Sequence, residues 1–314
     1  MSVTGRPVKV SAIGTGFLLA GDASYIERVY RTVADEAKWA DIIVLPEVWY
    51  GSYVVNPGDP MMDIMSNISG SYCTYILCPM YREQDGARYN TVMLFGRNGD
   101  VVSVHDKVFP FWGEIHGNPY VDAGADSCVY ETDFGNIGVA ICFSVNFPEV
   151  WRRLDDLGAD IVFWPSAYAG GLSVQAHAIN HHYYIVTATQ ERQCAIYDIT
   201  GEILVHESFA DDVYPVRVTL DLDRCVYHEN FNVSPIEKMI LSHHADIDVC
   251  WMAKEHWYAL SAKRPGVLVR DIARRYGMEE IRSYIRRSRN MVDEHRGYPF
   301  ITRLVENENE QGNE

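Results

Sequence analysis

The run Asp41–Pro46, DIIVLP, sets four large aliphatic residues in a row with no polar interruption. A strand with one wet face alternates apolar and polar residues. An unbroken run reads instead as a strand buried on both faces, which requires covered sheets. Similar segments recur. Val8–Ile13 is apolar and β-branched, and Ile137–Ile141, Asp160–Trp164 and Tyr184–Thr189 repeat the pattern. Between them, Ala23–Ala40 shows helical periodicity through Ile26, Val29, Val33 and Ala37, and helices are expected at Pro148–Leu157 and Leu172–His182. Hairpins are expected around Asn98-Gly99 and Thr200-Gly201. Strand and helix alternate to about residue 220 without a linker, which predicts one α/β domain. From about residue 250, helix formers and Arg and Glu dominate. The expected organisation is a tail over 1–7, a domain over 8–249, a helical extension over 250–306 serving subunit contacts, and a disordered tail over 307–314 (NENEQGNE).

Bulk properties narrow the function. With 47% hydrophobic and 22% charged residues, the chain can bury a substantial core. A net charge of −16 argues against a nucleic-acid partner, because binding phosphates needs a basic face. No membrane span or signal peptide is expected. Seven cysteines, an odd number without framework spacing, suit a reduced, cytoplasmic setting.

Three strand ends carry reactive side chains. Cys142 ends an apolar run just before a turn and a helix opened by Pro148. Backbone N–H groups, the helix dipole and a nearby cation would lower the thiol pKa there, and those N–H groups could hold an oxyanion. On that reasoning Cys142 would react with iodoacetamide faster than the other six cysteines at neutral pH. Taken alone, however, a free cysteine is more often a small buried hydrophobe. Glu47 follows DIIVLP, where a carboxylate is costly unless paired or functional. Lys107 lies two residues past the strand Val101–His105, before an aromatic loop. Together they supply a base, a cation and a nucleophile, the minimum set for acyl transfer through a thioester.

The ordered motifs Leu45-Pro46-Glu47, His105-Asp106-Lys107 leading to Phe109-Pro110-Phe111-Trp112-Gly113-Glu114, and Gly138-Val139-Ala140-Ile141-Cys142 leading to Phe147-Pro148-Glu149 resemble the nitrilase superfamily, the carbon–nitrogen hydrolases. Gly158-Ala159-Asp160 and Trp164-Pro165-Ser166 resemble that family's next strand. The resemblance covers about residues 8–220. It implies a four-layer α-β-β-α sandwich that forms a dimer or larger homo-oligomer. It also implies hydrolysis of a small amide or N-carbamoyl compound without metal or cofactor. Cys142 would be the nucleophile and Glu47 the general base. Lys107, helped by the Phe143 N–H, would stabilise the oxyanion, and Glu114 would be an additional glutamate positioning substrate or lysine. Phe143, Trp112, Trp164 and Tyr53 are the expected substrate-facing residues. Phe143-Ser144 stands where nitrilases usually carry Trp-Glu, which favours amides over nitriles. The alternatives are a nitrilase and a non-catalytic family member serving as an interaction protein.

Two further motifs are weak. Gly14-Thr15-Gly16 lacks the third glycine of a dinucleotide fingerprint. His177 and His181, four apart on a helix, lack a third metal ligand at suitable spacing.

Overall fold

A computed structural model describes residues 4–16, 22–117, 120–191, 193–208 and 213–300. The expected tail over 307–314 lies outside them. The chain divides into two compact units, Met1–Leu222 and Asp223–Glu314.

The first unit opens with β1 (Pro7–Thr15), α1 (Ala23–Ala37), β2 (Ile42–Val44) and α2 (Pro60–Tyr72), followed by β3 (Tyr75–Gln84), β4 (Ala87–Phe95) and β5 (Val101–Asp106). A single-turn helix α3 (Trp112–Ile115) leads to β6 (Val129–Glu131) and β7 (Asn136–Val139). A 3₁₀ turn at Cys142–Asn146 then precedes α4 (Pro148–Asp156), β8 (Ile161–Ser166) and α5 (Leu172–His181). The unit closes with β9 (Tyr184–Thr189), β10 (Gln193–Tyr197), β11 (Ile203–Ser208) and β12 (Val213–Asp221).

These strands form two six-stranded sheets, ordered β12-β1-β2-β3-β4-β5 and β11-β10-β9-β8-β7-β6. In each sheet three consecutive strands are parallel, β1-β2-β3 and β7-β8-β9, and antiparallel strands flank them. Period-two alternation sorts the strand side chains into two layers. Ile43 of β2, Ile76 and Cys78 of β3 and Phe95 of β4 pack with Val29 and Val33 of α1 and Met61 and Met65 of α2. Val162 and Trp164 of β8 pack with Trp151 and Leu154 of α4 and Val174 and Ala178 of α5. The alternate residues, among them Val10, Ala12, Val44, Phe163 and Val186, are also buried, and β1 of one sheet touches β9 and β10 of the other. The result is the four-layer α-β-β-α sandwich.

A proline marks the same place in each sheet. β2 pairs with β3 only as far as Leu77, and Pro79 follows two residues later; β7 pairs with β8 only as far as Phe163, and Pro165 follows two residues later. A residue with no N–H suits a position beyond the end of its parallel neighbour. Both sheets therefore fall away at the carboxyl ends of β2 and β7, where α/β folds place their ligands.

The second unit departs from the helical expectation for 250–306. It comprises β13 (Cys225–His228), α6 (Val233–His243), β14 (Ile247–Met252), β15 (Trp257–Ala262), α7 (Val269–Arg275) and α8 (Ile281–Arg296). Its antiparallel sheet has the order β13-β15-β14, and residues 250–262 lie mostly in strands. The reason is local. DVCWM and WYALSA are rich in β-branched and aromatic residues, and helix formers prevail only from Val269 onward. Cys225, Tyr227, Ile236, Met239, Leu260 and Ile272 give this unit its own core, so the break falls after Leu222 and not near residue 249.

Burial pushes two histidines of the first unit, His105 and His177, down to about 4. A depressed histidine binds fewer protons folded than unfolded between about pH 4 and 6.5. Its stabilisation is therefore complete above the ordinary value of about 6.5 and is lost as pH falls toward 4. Each shift corresponds to about 3 kcal/mol. The melting temperature should fall between pH 7 and pH 4.5. His177→Phe should melt lower at pH 8 yet lose less on acidification; an unchanged drop in that variant would contradict the assignment.

Candidate active site

Glu47 begins the turn after β2, Lys107 follows β5, Glu114 sits on α3, and Cys142 begins the 3₁₀ turn after β7. The fold brings all four together. The Lys107 Nζ donates to Glu47 Oε1 at 2.7 Å and to Glu114 Oε2 at 2.8 Å. Cys142 is the next group in this network, facing the charges of both Glu47 and Lys107. Lys107, Glu47 and Cys142 are only 1%, 3% and 9% exposed.

The two carboxylates are held differently. Glu114 accepts four hydrogen bonds: from Asn90 and Tyr81 on Oε1, and from Lys107 and the Phe111 N–H on Oε2. Burial opposes its charge, but Lys107 and these donors hold the carboxyl below its usual range. Fully subscribed, its two oxygens keep no open acceptor direction. Glu47 accepts from Lys107 and Asn90 on Oε1 and from the Ala167 N–H, at 3.1 Å, on Oε2. Gln190 donates to its backbone carbonyl. For Lys107, burial disfavours the ammonium, but Glu47, Cys142 and Glu114 outweigh it and keep the group charged. Its two bonds to carboxylates leave the third N–H for an incoming carbonyl oxygen.

The thiol departs from the expectation of a lowered pKa. Burial first and the Glu47 charge second push Cys142 up to about 12, although Lys107 pulls the other way. Ionising it would add a second net negative charge to a buried set that already carries two carboxylates and one ammonium. Exposed Cys73 and Cys250 are therefore open to iodoacetamide, whereas Cys142 rests as a buried, neutral thiol. All seven cysteines are free.

The backbone at Cys142 is strained, with φ at +42°, a region non-glycine residues seldom occupy. Three ring N–H groups hold the elbow by its carbonyls. Trp164 Nε1 donates to Cys142 O at 3.1 Å, Trp151 Nε1 to Ser144 O at 3.0 Å, and His177 Nε2 lies 2.9 Å from Val145 O. His177 stacks flat on Trp151 at 4.1 Å, so this histidine supports the elbow. On α4, Arg152 bonds to Asp156, and Arg153 bonds to Asp126.

The expected substrate-facing residues separate. Phe143 lies edge-on to Phe111 and Phe147, and Phe111 in turn meets the exposed Trp112, so an aromatic chain joins the Lys107 loop to the elbow. Trp164 does not belong on that surface. It falls on the helix-facing side of β8 with Val162, fully buried behind Cys142. Tyr53 is exposed on the segment between β2 and α2. Tyr168 stands nearer the chemistry, edge-on to Trp164 and within the fields of Cys142 and Glu47. Asn90, Tyr81, Ala167 and Gln190 were not foreseen. Asn90 had a legible signal, a polar residue on the side of β4 that also carries buried Val92 and Leu94.

Residues 19–222 match the family model described as carbon–nitrogen hydrolase. The chain belongs to that family. Among curated relatives of this family member, a hydrolase of Schizosaccharomyces pombe is 25% identical over 227 residues, covering 63% of this chain and 70% of that one. The deaminated glutathione amidase of Synechocystis is 33% identical over 120 residues, 33% of this chain and 44% of the relative. The N-carbamoylputrescine amidase of Solanum lycopersicum is 28% identical over 156 residues, covering 45% and 51%. The chain thus spans about half the length of the latter two. Saccharomyces cerevisiae Nit3, a member of the nitrilase superfamily, superposes with a TM-score of 0.61 at 18% identity, over 74% of this chain and 96% of that one. An amidase from Nesterenkonia sp. AN1 gives 0.60 at 17% identity, over 68% and 95%. These likenesses bear on the fold.

Glu47→Gln should move the pH midpoint of Cys142 alkylation downward, by removing the repelling charge while Lys107 remains. The same variant should lose amide turnover. Alkylation followed by peptide mass spectrometry measures the first, and an upward or absent shift would refute the charge assignment.

Proposed function

We propose that this protein hydrolyses the C–N bond of a small linear amide or N-carbamoyl compound through a thioester on Cys142. The observation that carries the reading is the buried Lys107 ammonium, bonded to Glu47 and Glu114 and facing Cys142.

Cys142 Sγ adds to the carbonyl carbon as its proton passes to Glu47. The carbonyl oxygen takes up the negative charge against the remaining Lys107 N–H and the Phe143 N–H. Glu47 then gives its proton to the departing nitrogen, the C–N bond breaks, and ammonia or an amine leaves a thioester. Water, deprotonated by Glu47, adds to the thioester; collapse releases the acid, and the proton returns to sulfur. The neutral resting thiol suits this scheme, because a high-pKa nucleophile needs the adjacent base. Phe143, Trp112 and Tyr168 are proposed to shape the acyl site. The amidase names among the relatives and the Phe143-Ser144 pair favour amides and carbamoyl compounds over nitriles.

A panel of amides, ureido acids and nitriles, assayed for ammonia, tests this. Amide or ureido turnover is expected, falling by at least about a thousandfold in Cys142→Ala, with an acyl adduct on Cys142 visible by intact mass. Unchanged turnover in that variant removes the nucleophile. Faster nitrile turnover makes the protein a nitrilase, and inertness across the panel favours an interaction protein. Self-association is also proposed, with exposed Leu172 and Ile179 on α5 offering apolar surface; a monomer by light scattering would remove it.

A further inference from the structure

We infer that Asn90 is a positioning residue that assigns the two oxygens of Glu47 to different tasks, Oε1 to hold the lysine and Oε2 to take the thiol proton. The inference rests on the amide-hydrolysis reading and concerns a residue outside the Glu47, Lys107 and Cys142 set.

Asn90 stands on β4, 1% exposed, on the side of the strand shared with Val92 and Leu94. Its Nδ2 donates both hydrogens to carboxylates, to Glu47 Oε1 at 2.8 Å and to Glu114 Oε1 at 2.8 Å. Both partners accept only, so the amide nitrogen and not its oxygen must face them. Its backbone carbonyl accepts from the Lys107 N–H at 2.8 Å, which sets the lysine beside it. Asn90 and Lys107 thereby close a ring with the two glutamates: each donates once to Glu47 and once to Glu114.

Lone-pair counting gives this ring its consequence. A carboxylate oxygen offers about two good acceptor directions. On Glu47, Oε1 receives two donors, Lys107 and Asn90, and is full. Oε2 receives one, the Ala167 N–H, and keeps a direction open. The open site is the one able to accept a proton from Cys142 and return it to the departing nitrogen. Without Asn90, Oε1 regains an open direction beside the ammonium. The terminal torsion of a glutamate is soft, so the carboxylate could then turn. A proton delivered to Oε1 would sit next to Lys107, displaced from the leaving group. Neutrality at position 90 matters as well. An aspartate there has the same shape but would set a third carboxylate against two others around one ammonium.

Two variants and one thiol measurement test the inference. Asn90→Ala should lower kcat about tenfold to a hundredfold, the size of a lost hydrogen bond to a charged group, with KM within about threefold. Asn90→Asp should be as impaired at pH 8 but recover as pH falls, because its protonated carboxyl can again donate to Glu47. In Asn90→Asp the alkylation midpoint of Cys142 should move upward, a readout that needs no turnover. A folded variant with wild-type kcat and pH profile overturns the inference. So do equal losses with identical pH profiles in both variants, which mark a merely structural role, and failure of both to fold. An inert wild type would instead defeat the amide-hydrolysis reading, and the alkylation shift would still report on Asn90.

Discussion

The arrangement turns on one buried ammonium shared between two carboxylates. Taking Lys107, Glu47 and Glu114 out of water is expensive, and mutual attraction offsets that cost only when the remaining hydrogen-bonding capacity is also satisfied. The structure meets the condition with Asn90, Tyr81, and the N–H groups of Phe111 and Ala167. The set carries one net negative charge while the thiol is neutral. In the proposed reaction that charge is conserved. The proton moves from sulfur to Glu47, the substrate oxygen becomes the anion, and Lys107 exchanges one negative partner for another while Glu114 holds it in place. Little reorganisation is needed, which is how preorganised charge lowers a barrier.

The fold makes room for this where pairing stops at the carboxyl ends of β2 and β7. The parallel strands β2 and β7 end early, prolines follow on their neighbours, and Glu47 and Cys142 emerge there. The two sheets are then tied by a bond from Ala167, just past β8, to Glu47, which follows β2. Behind Cys142, Trp151, Trp164 and His177 hold three carbonyls of the elbow, which keeps its positive φ in place. A neutral His177 serves better than a charged one, since burial disfavours its second proton.

Much of this could be read along the chain. The unbroken apolar runs placed the parallel strands within a residue or two, since only strands covered on both faces tolerate such runs. The order and spacing of the Glu47, Lys107 and Cys142 motifs pointed to the family. Several readings went astray for physical reasons. Dense Arg and Glu masked the strands over 247–262, because their pattern of aromatic and β-branched residues is short. The thiol pKa was judged from a helix end and a cation, and burial, the largest effect, has no local signature. Trp164 was expected to face substrate, but strand parity turns it toward the helices.

By itself, then, the order of residues determined the α/β class, the covered sheets and the three reactive strand ends, because periodicity and strand-end chemistry are local properties. Only the tertiary structure decided which oxygen of Glu47 is open, that Glu114 is saturated, that Asn90 belongs to the cluster, and that the sulfur rests protonated. Each of these depends on groups brought together from distant segments, and on how completely their association excludes water.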